Sequence, residues 1–184
     1  MRCPVRGNQE GGVRVSKNIL VVYKKNFEDV HDDALDIVKN TLEKIGEDLD
    51  INVNYSAREK VSREDFIERD LVVVLGGDGT LTSIAHSVDE NTPVMGVNSH
   101  PRDMDNDGSY GFYMGSDPIN FKEDIQKALS NNAIVNILPR LQAEISTTSG
   151  NIIRSDPALN DLLLANTHQY QPSKYKLQRK EDTK

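Results

Sequence analysis

The chain has 184 residues, 36% hydrophobic and 28% charged, with a formal net charge of −7; that suffices for one domain, or one domain and part of a second. No apolar run approaches the ~18 residues a membrane span requires, and the N-terminus lacks the charged-then-apolar pattern of a secretory signal. Cys3 is the only cysteine, so no internal disulfide can form and a reducing cytoplasm is the expected setting. The acidic balance argues against nucleic acid as a partner, because phosphate neutralisation supplies most of that affinity; the basic residues cluster only in the tail, at Lys174, Lys176, Arg179 and Lys180.

Residues 1–17 are Gly-rich and polar with no period, and are expected to form a loose tail. NILVVY at 18–23 is a nearly continuous apolar run, as in a strand covered on both faces. A helix is predicted over 28–47, with Val30, Ala34, Ile37, Val38, Leu42 and Ile45 on its buried face. Its acidic start at Glu28 and Asp29 complements the helix dipole, and Gly46 is expected to close it. A strand follows at 51–55, then a short helix at 62–66 with a capping box from Ser62 to Asp65. LVVVL at 71–75 is the clearest buried strand, and it runs directly into Gly76-Gly77-Asp78-Gly79-Thr80. Leu81, Ile84, Ala85 and Val88 then mark one helix face. A strand is predicted at 93–97 and a helix at 117–129, with Asp117-Pro118 as cap and first turn.

This alternation predicts an α/β fold, an open parallel Rossmann-like sheet spanning 18–132. Beyond it, 140–147, 151–154 and 158–165 read as strands, with a hairpin turn at Ser149-Gly150-Asn151. They mark the start of a β-rich second domain at 133–184.

The Gly-Gly-Asp-Gly-Thr turn has a physical use. Glycines tolerate positive φ and lack a Cβ, so phosphate oxygens can approach the backbone. The following helix offers free N–H groups and a positive dipole end, and Thr80 can add a hydroxyl donor. The turn also lies at the carboxyl end of a strand, where open α/β sheets bind ligands. Asp78 stands out, because a carboxylate beside phosphates is repulsive unless it holds a metal or accepts a proton. The alternative is a tight structural turn with an Asx bond. No Walker A run occurs, and Thr82 stands where the dinucleotide fingerprint requires its third glycine.

At this turn the sequence resembles the NAD kinases, within a superfamily that includes diacylglycerol-type lipid kinases and phosphofructokinases. VVVLGGDGTL carries the resemblance. TPVMGVNSHP at 92–101 resembles the family's Gly-Ile-Asn or Gly-Val-Asn segment, SYGFYM at 109–114 its Leu-Gly-Phe-Leu segment, and ALNDLLLA at 158–165 its Asn-Glu/Asp motif. The resemblance implies transfer of a phosphoryl group from ATP to the 2′-hydroxyl of the adenosine ribose of NAD or NADH. Asp78 would be the base, with Gly76, Gly77, Gly79, Thr80, Asn98, Asn160, Asp161 and Lys174 binding the nucleotides. Mg²⁺ would accompany ATP and offset its phosphate charge, and no residue is assigned as a metal ligand. The Asn-Asp form of the motif, Gly-Val-Asn-Ser-His-Pro and His86 resemble the organellar, NADH-accepting branch. Lys174 stands where that branch tends to have Arg, keeping the charge but losing the bidentate fork.

In the family the second domain continues further and carries a Thr-Ala-Tyr segment without counterpart here. The expectation is therefore a truncated chain that turns over little NAD, with homo-oligomerisation expected of a complete one. A non-catalytic nucleotide-binding fragment and a lipid kinase are the alternatives, the second disfavoured by the Gly-Val-Asn and Asn-Asp segments. Asp103, Asp105, Asp107 and Gly108 match the opening of an EF-hand loop, but Met114 occupies the twelfth position where a bidentate Glu is needed. That stretch reads as a solvated acidic loop. His86 reads as a surface or packing residue before a catalytic one, and His31, His100 and His168 are not a metal-spaced set.

Overall fold

The computed structural model describes residues 16–25, 29–102, 108–168, 170–172 and 174–178. The expected tail at 1–15, including Cys3, lies outside them, as do Glu28, the side chains of Val30 and His31, the acidic loop at 103–107, Arg179 and Lys180.

Four parallel strands form the main sheet: β1 (Lys17–Tyr23), β2 (Ile51–Ala57), β3 (Leu71–Gly76) and β4 (Val94–Asn98), in the spatial order β2-β1-β3-β4. The chain leaves β1 in one direction, through α1 (Asp29–Asp48) to β2. It leaves β3 in the other, through α2 (Asp78–Ile84) to β4. Right-handed crossovers running in opposite directions put their helices on opposite faces. Ile19, Val21 and Val73 accordingly pack with Ala34, Val38 and Leu42 of α1, joined by Phe121 and Ile125 of α3 (Phe121–Leu129). Leu20, Val22, Val72 and Val74 pack on the other side with Phe66, Leu81 and Ile84. β1 and β3 are thus covered on both faces, which is why they read as unbroken apolar runs.

Several boundaries differ from those expected. Lys17 belongs to β1, and its Nζ donates to Leu129 O at 2.5 Å, capping the end of α3. Helix α1 runs through Gly46 to Asp48, because one glycine costs only about 1 kcal/mol in a helix whose other residues bury a full face. Leu35 takes the core place assigned to Ile37, which is 44% exposed. Asp117 caps a turn ahead of α3 instead of the helix itself: Oδ1 accepts the N–H groups of Ile119 and Asn120, both at 2.9 Å. The capping box at 62–66 forms as expected, with Ser62 N–H donating to Asp65 Oδ2 at 2.7 Å, on a single 3-10 turn at Arg63–Phe66.

Past residue 133 the structure carries a two-stranded antiparallel hairpin, β5 (Glu144–Ser146) and β6 (Ile152–Arg154). It is closed at Gly150, whose φ is +86°. The strand expected over 158–165 does not form. Only Ala158 pairs, with Leu141, and Leu163 and Leu164 are 90% and 82% exposed. A strand requires a neighbour for its backbone, and no described segment supplies one beyond Ala158.

The segment nevertheless docks on the main sheet. Arg140 Nη1 donates to Ala85 O (2.7 Å) and Val88 O (2.6 Å), satisfying carbonyls just past the end of α2. Leu159 packs against the Leu81–Ile84 side of the core, and Arg63 pairs with Asp156 at 3.1 Å. Nearby, Asp89 accepts the N–H groups of Asn91 and Thr92, which hold its carboxyl below the usual range. No helix among the described residues is long and apolar enough to cross a membrane.

Candidate functional site

Strand order reverses between β1 and β3, so the carboxyl ends of these two strands border the crevice in which open α/β sheets bind ligands. The glycine turn stands at that point. β3 ends at Gly76, Gly77 is extended at φ −108°, and Asp78 opens α2. Positive φ was one reason to expect glycines here, but among the described glycines it occurs only at Gly108, Gly111 and Gly150. The glycines of the turn serve close approach instead. A Cβ on Gly76 would fall on the Thr80 hydroxyl, one on Gly77 would stand 2.9 Å from Ser109 Oγ, and one on Gly79 would meet nothing within 4 Å. Gly79 therefore leaves its side of the turn open to an incoming ligand.

Thr80, expected to add a hydroxyl donor, is 2% exposed and tucked beneath Gly76. Helix α2 spans only seven residues, so its dipole is weaker than a long helix would supply. The N–H groups of Thr80 and Leu81 turn back to Gly77 O, at 2.9 and 3.4 Å. The amides of Gly77, Asp78 and Gly79 are left as candidates to meet an anion.

Asp78 is tied to a segment more than thirty residues away. Oδ2 accepts Phe112 N–H at 2.9 Å and Oδ1 accepts Tyr113 N–H at 2.7 Å. Charge-assisted bonds of this kind orient a carboxylate firmly, while each oxygen keeps a further lone pair for a proton or hydroxyl. The Phe112 and Tyr113 rings stand edge to face, 5.1 Å apart, and Phe112 is 84% exposed beside the turn.

Asn98, at the end of β4, is buried. Its Nδ2 donates to Ser109 O (3.0 Å) and its Oδ1 accepts His100 N–H (3.3 Å). Next to it Ser99 N–H donates to Gly76 O at 3.0 Å. Asn98 thus holds the 109–113 segment against the glycine turn. The structure does not bring the remaining expected residues to this place. Asn160 and Asp161 are exposed and bond to each other at 3.3 Å, and Lys174 is exposed on an irregular segment. A groove of about 210 Å³ beside α2, lined by Arg58, Val61, Ser83, Ile84, His86 and Ser87, includes none of the turn residues. The site is located by the chemistry of the turn, not by that hollow. His86 is exposed on its rim.

Sequence reasoning singled out 109–114 as a motif but assigned its residues no role. The available signal was Gly111, whose φ of +66° suits glycine and which delivers the two amides to Asp78. Gly96 supports the same segment from below. A Cβ there would stand 2.5 Å from Met114 Sδ and 2.8 Å from Tyr113 O. Gly96→Ala is therefore expected to cost about 1–3 kcal/mol through overpacking against backbone, seen as a lower urea midpoint with unchanged slope.

The described residues contain no group of three His, Cys, Asp or Glu that could hold a metal. Both oxygens of Asp78, the turn's one carboxylate, already accept backbone N–H groups. This donor set does not build a metal cage.

A family model described as the ATP-NAD kinase N-terminal domain matches residues 23–133. The NAD kinase of Pseudomonas fluorescens (strain SBW25) is 34% identical over 96 residues, covering 52% of this chain and 29% of that protein. A probable NADH kinase of Oryza sativa subsp. japonica is 23% identical over 181 residues, covering 93% of this chain and 53% of that protein. The crystal structure of an NAD kinase from Archaeoglobus fulgidus in complex with ATP aligns with a TM-score of 0.50 at 21% identity. It covers 72% of this chain and 44% of that one, a likeness of fold. The chain spans about half the length, or less, of these relatives.

Proposed function

The chain belongs to the ATP-NAD kinase family, and from that premise we propose that its glycine turn works in a kinase that phosphorylates the 2′-hydroxyl of the adenosine ribose of NAD or NADH. The γ-phosphoryl group of ATP passes to the ribose oxygen, ADP leaves, and the hydroxyl proton goes to Asp78. The observation that carries this is Asp78 itself: a carboxylate held by two backbone amides beside the open Gly79, at the crevice between β1 and β3. Phosphoryl transfer demands little covalent chemistry from a protein. It depends on positioning and on charge neutralisation, which backbone amides supply here. Mg²⁺ is proposed to arrive on the phosphates of ATP, as it does where a protein offers few carboxylates. A chain with one cysteine suits the cytoplasm. The exposed Ile134, Ile137, Leu163 and Leu164 supply apolar surface for a homo-oligomer.

One observation favours a second reading. Asn160, Asp161 and Lys174 stand exposed instead of gathered about the turn, as in a non-catalytic nucleotide-binding module. A single experiment separates the two: calorimetry with ATP, a coupled assay for NADP, and light scattering on the same preparation. The kinase requires NADP to form from ATP and NAD or NADH. ATP binding without any NADP would leave the binding module in its place.

A further inference from the structure

We infer that Asn98 is a positioning residue for Asp78, acting through the backbone of residues 109–113 without touching either substrate. The inference rests on the proposed role of Asp78, and it departs from the expectation that Asn98 binds a nucleotide.

Every polar atom of the Asn98 side chain faces this segment or its own strand end. The amide donates to Ser109 O, the carbonyl accepts His100 N–H, and the residue is 6% exposed. The Ser109 carbonyl also accepts Arg102 N–H at 3.0 Å, and Ser109 Oγ accepts Gly111 N–H at 3.3 Å. Ser109 is therefore clamped on its carbonyl and its hydroxyl. Three and four residues later the amides of Phe112 and Tyr113 hold the two oxygens of Asp78. The path is short and continuous: Asn98, Ser109, the turn at Gly111, two amides, Asp78. Gly111 fits tightly into it, since a Cβ there would stand 2.6 Å from Asn98 Nδ2 at a φ of +66°. A buried amide left without its partner loses a bond and also incurs a desolvation penalty, so the asparagine and the segment order each other. An aspartate at position 98 would keep the acceptor toward His100 but replace the donor toward Ser109 O with a second acceptor.

The test compares Asn98→Asp, Asp78→Asn and the double variant. Asn98→Asp should speed hydrogen exchange at the Phe112 and Tyr113 amides by about tenfold or more. In the kinase assay it should lower kcat by about tenfold to a hundredfold with KM for ATP within about twofold. In the Asp78→Asn background it should add no further loss, because the two residues act as a unit. Asn98→Ala, which removes the donor to Ser109 O without adding a buried charge, should give the same signature if Asn98→Asp does not fold. Unchanged exchange at those two amides, or losses that multiply in the double variant, would overturn the inference. If wild-type protein forms no NADP, the proposed function falls, and amide exchange alone decides whether Asn98 sets Asp78.

Discussion

Asp78→Asn is expected to lower NADP formation by about 10³-fold or more, equivalent to about 4 kcal/mol of transition-state stabilisation. Two losses contribute. Asparagine cannot take up the ribose proton. It also offers one acceptor oxygen where the carboxylate offers two, so either Phe112 N–H or Tyr113 N–H, now bonded at 2.9 and 2.7 Å, would face an NH₂ group. ATP affinity should change little on the proposed arrangement, in which the phosphates meet the backbone amides of the turn and not this side chain. Initial rates by coupled assay, with ATP binding by calorimetry, check both parts. Near-normal turnover in the variant would remove Asp78 from the chemistry and leave the turn a passive phosphate cradle.

The second large effect is on stability. Phe121→Ala is expected to cost about 3–5 kcal/mol, the transfer energy of the ring together with the cavity it leaves. Phe121 is fully buried where α3 meets the sheet, in the same cluster as Leu75 and Val97. That is a large share of the ~5–15 kcal/mol that holds a domain together. Urea unfolding should show the midpoint falling steeply. Ile37→Ala is the comparison: helical spacing along α1 nominated Ile37 for the core, yet it is 44% exposed, so its cost should stay within about 0.5–1 kcal/mol. Equal losses in the two variants would mean that α1 packs in a different rotation.

The family resemblance was carried by local patterns, and local patterns survived best. Uninterrupted apolar runs at 18–23 and 71–75 required burial on both faces, and both became the central strands. The glycine turn followed β3 directly, as its position in the sequence demanded. Leu81, Ile84, Ala85 and Val88 are all buried as their spacing demanded, but α2 ends at Ile84, so Ala85 and Val88 reach the core from the turn that follows and not from a helix face. Periodicity alone could not choose between Leu35 and Ile37, since both lie close to the apolar stripe and only the rotation of α1 on the sheet separates them.

By itself, then, the sequence determined the α/β alternation, the buried central strands, and a carboxylate in a glycine turn, since each depends on residues close together in the chain. Only the tertiary structure decided strand order, and with it the reversal between β1 and β3 that makes a crevice at Gly76. It also decided what Asp78 bonds to, thirty-four and thirty-five residues away, that Asn98 turns inward, that Arg140 caps the end of α2, and that 158–165 is no strand. Each of these depends on hydrogen bonds, made or missing, between elements that the sequence alone does not set side by side. A backbone amide carries no mark in the sequence of which carboxylate will meet it, and an apolar run becomes a strand only where a neighbour completes its ladder.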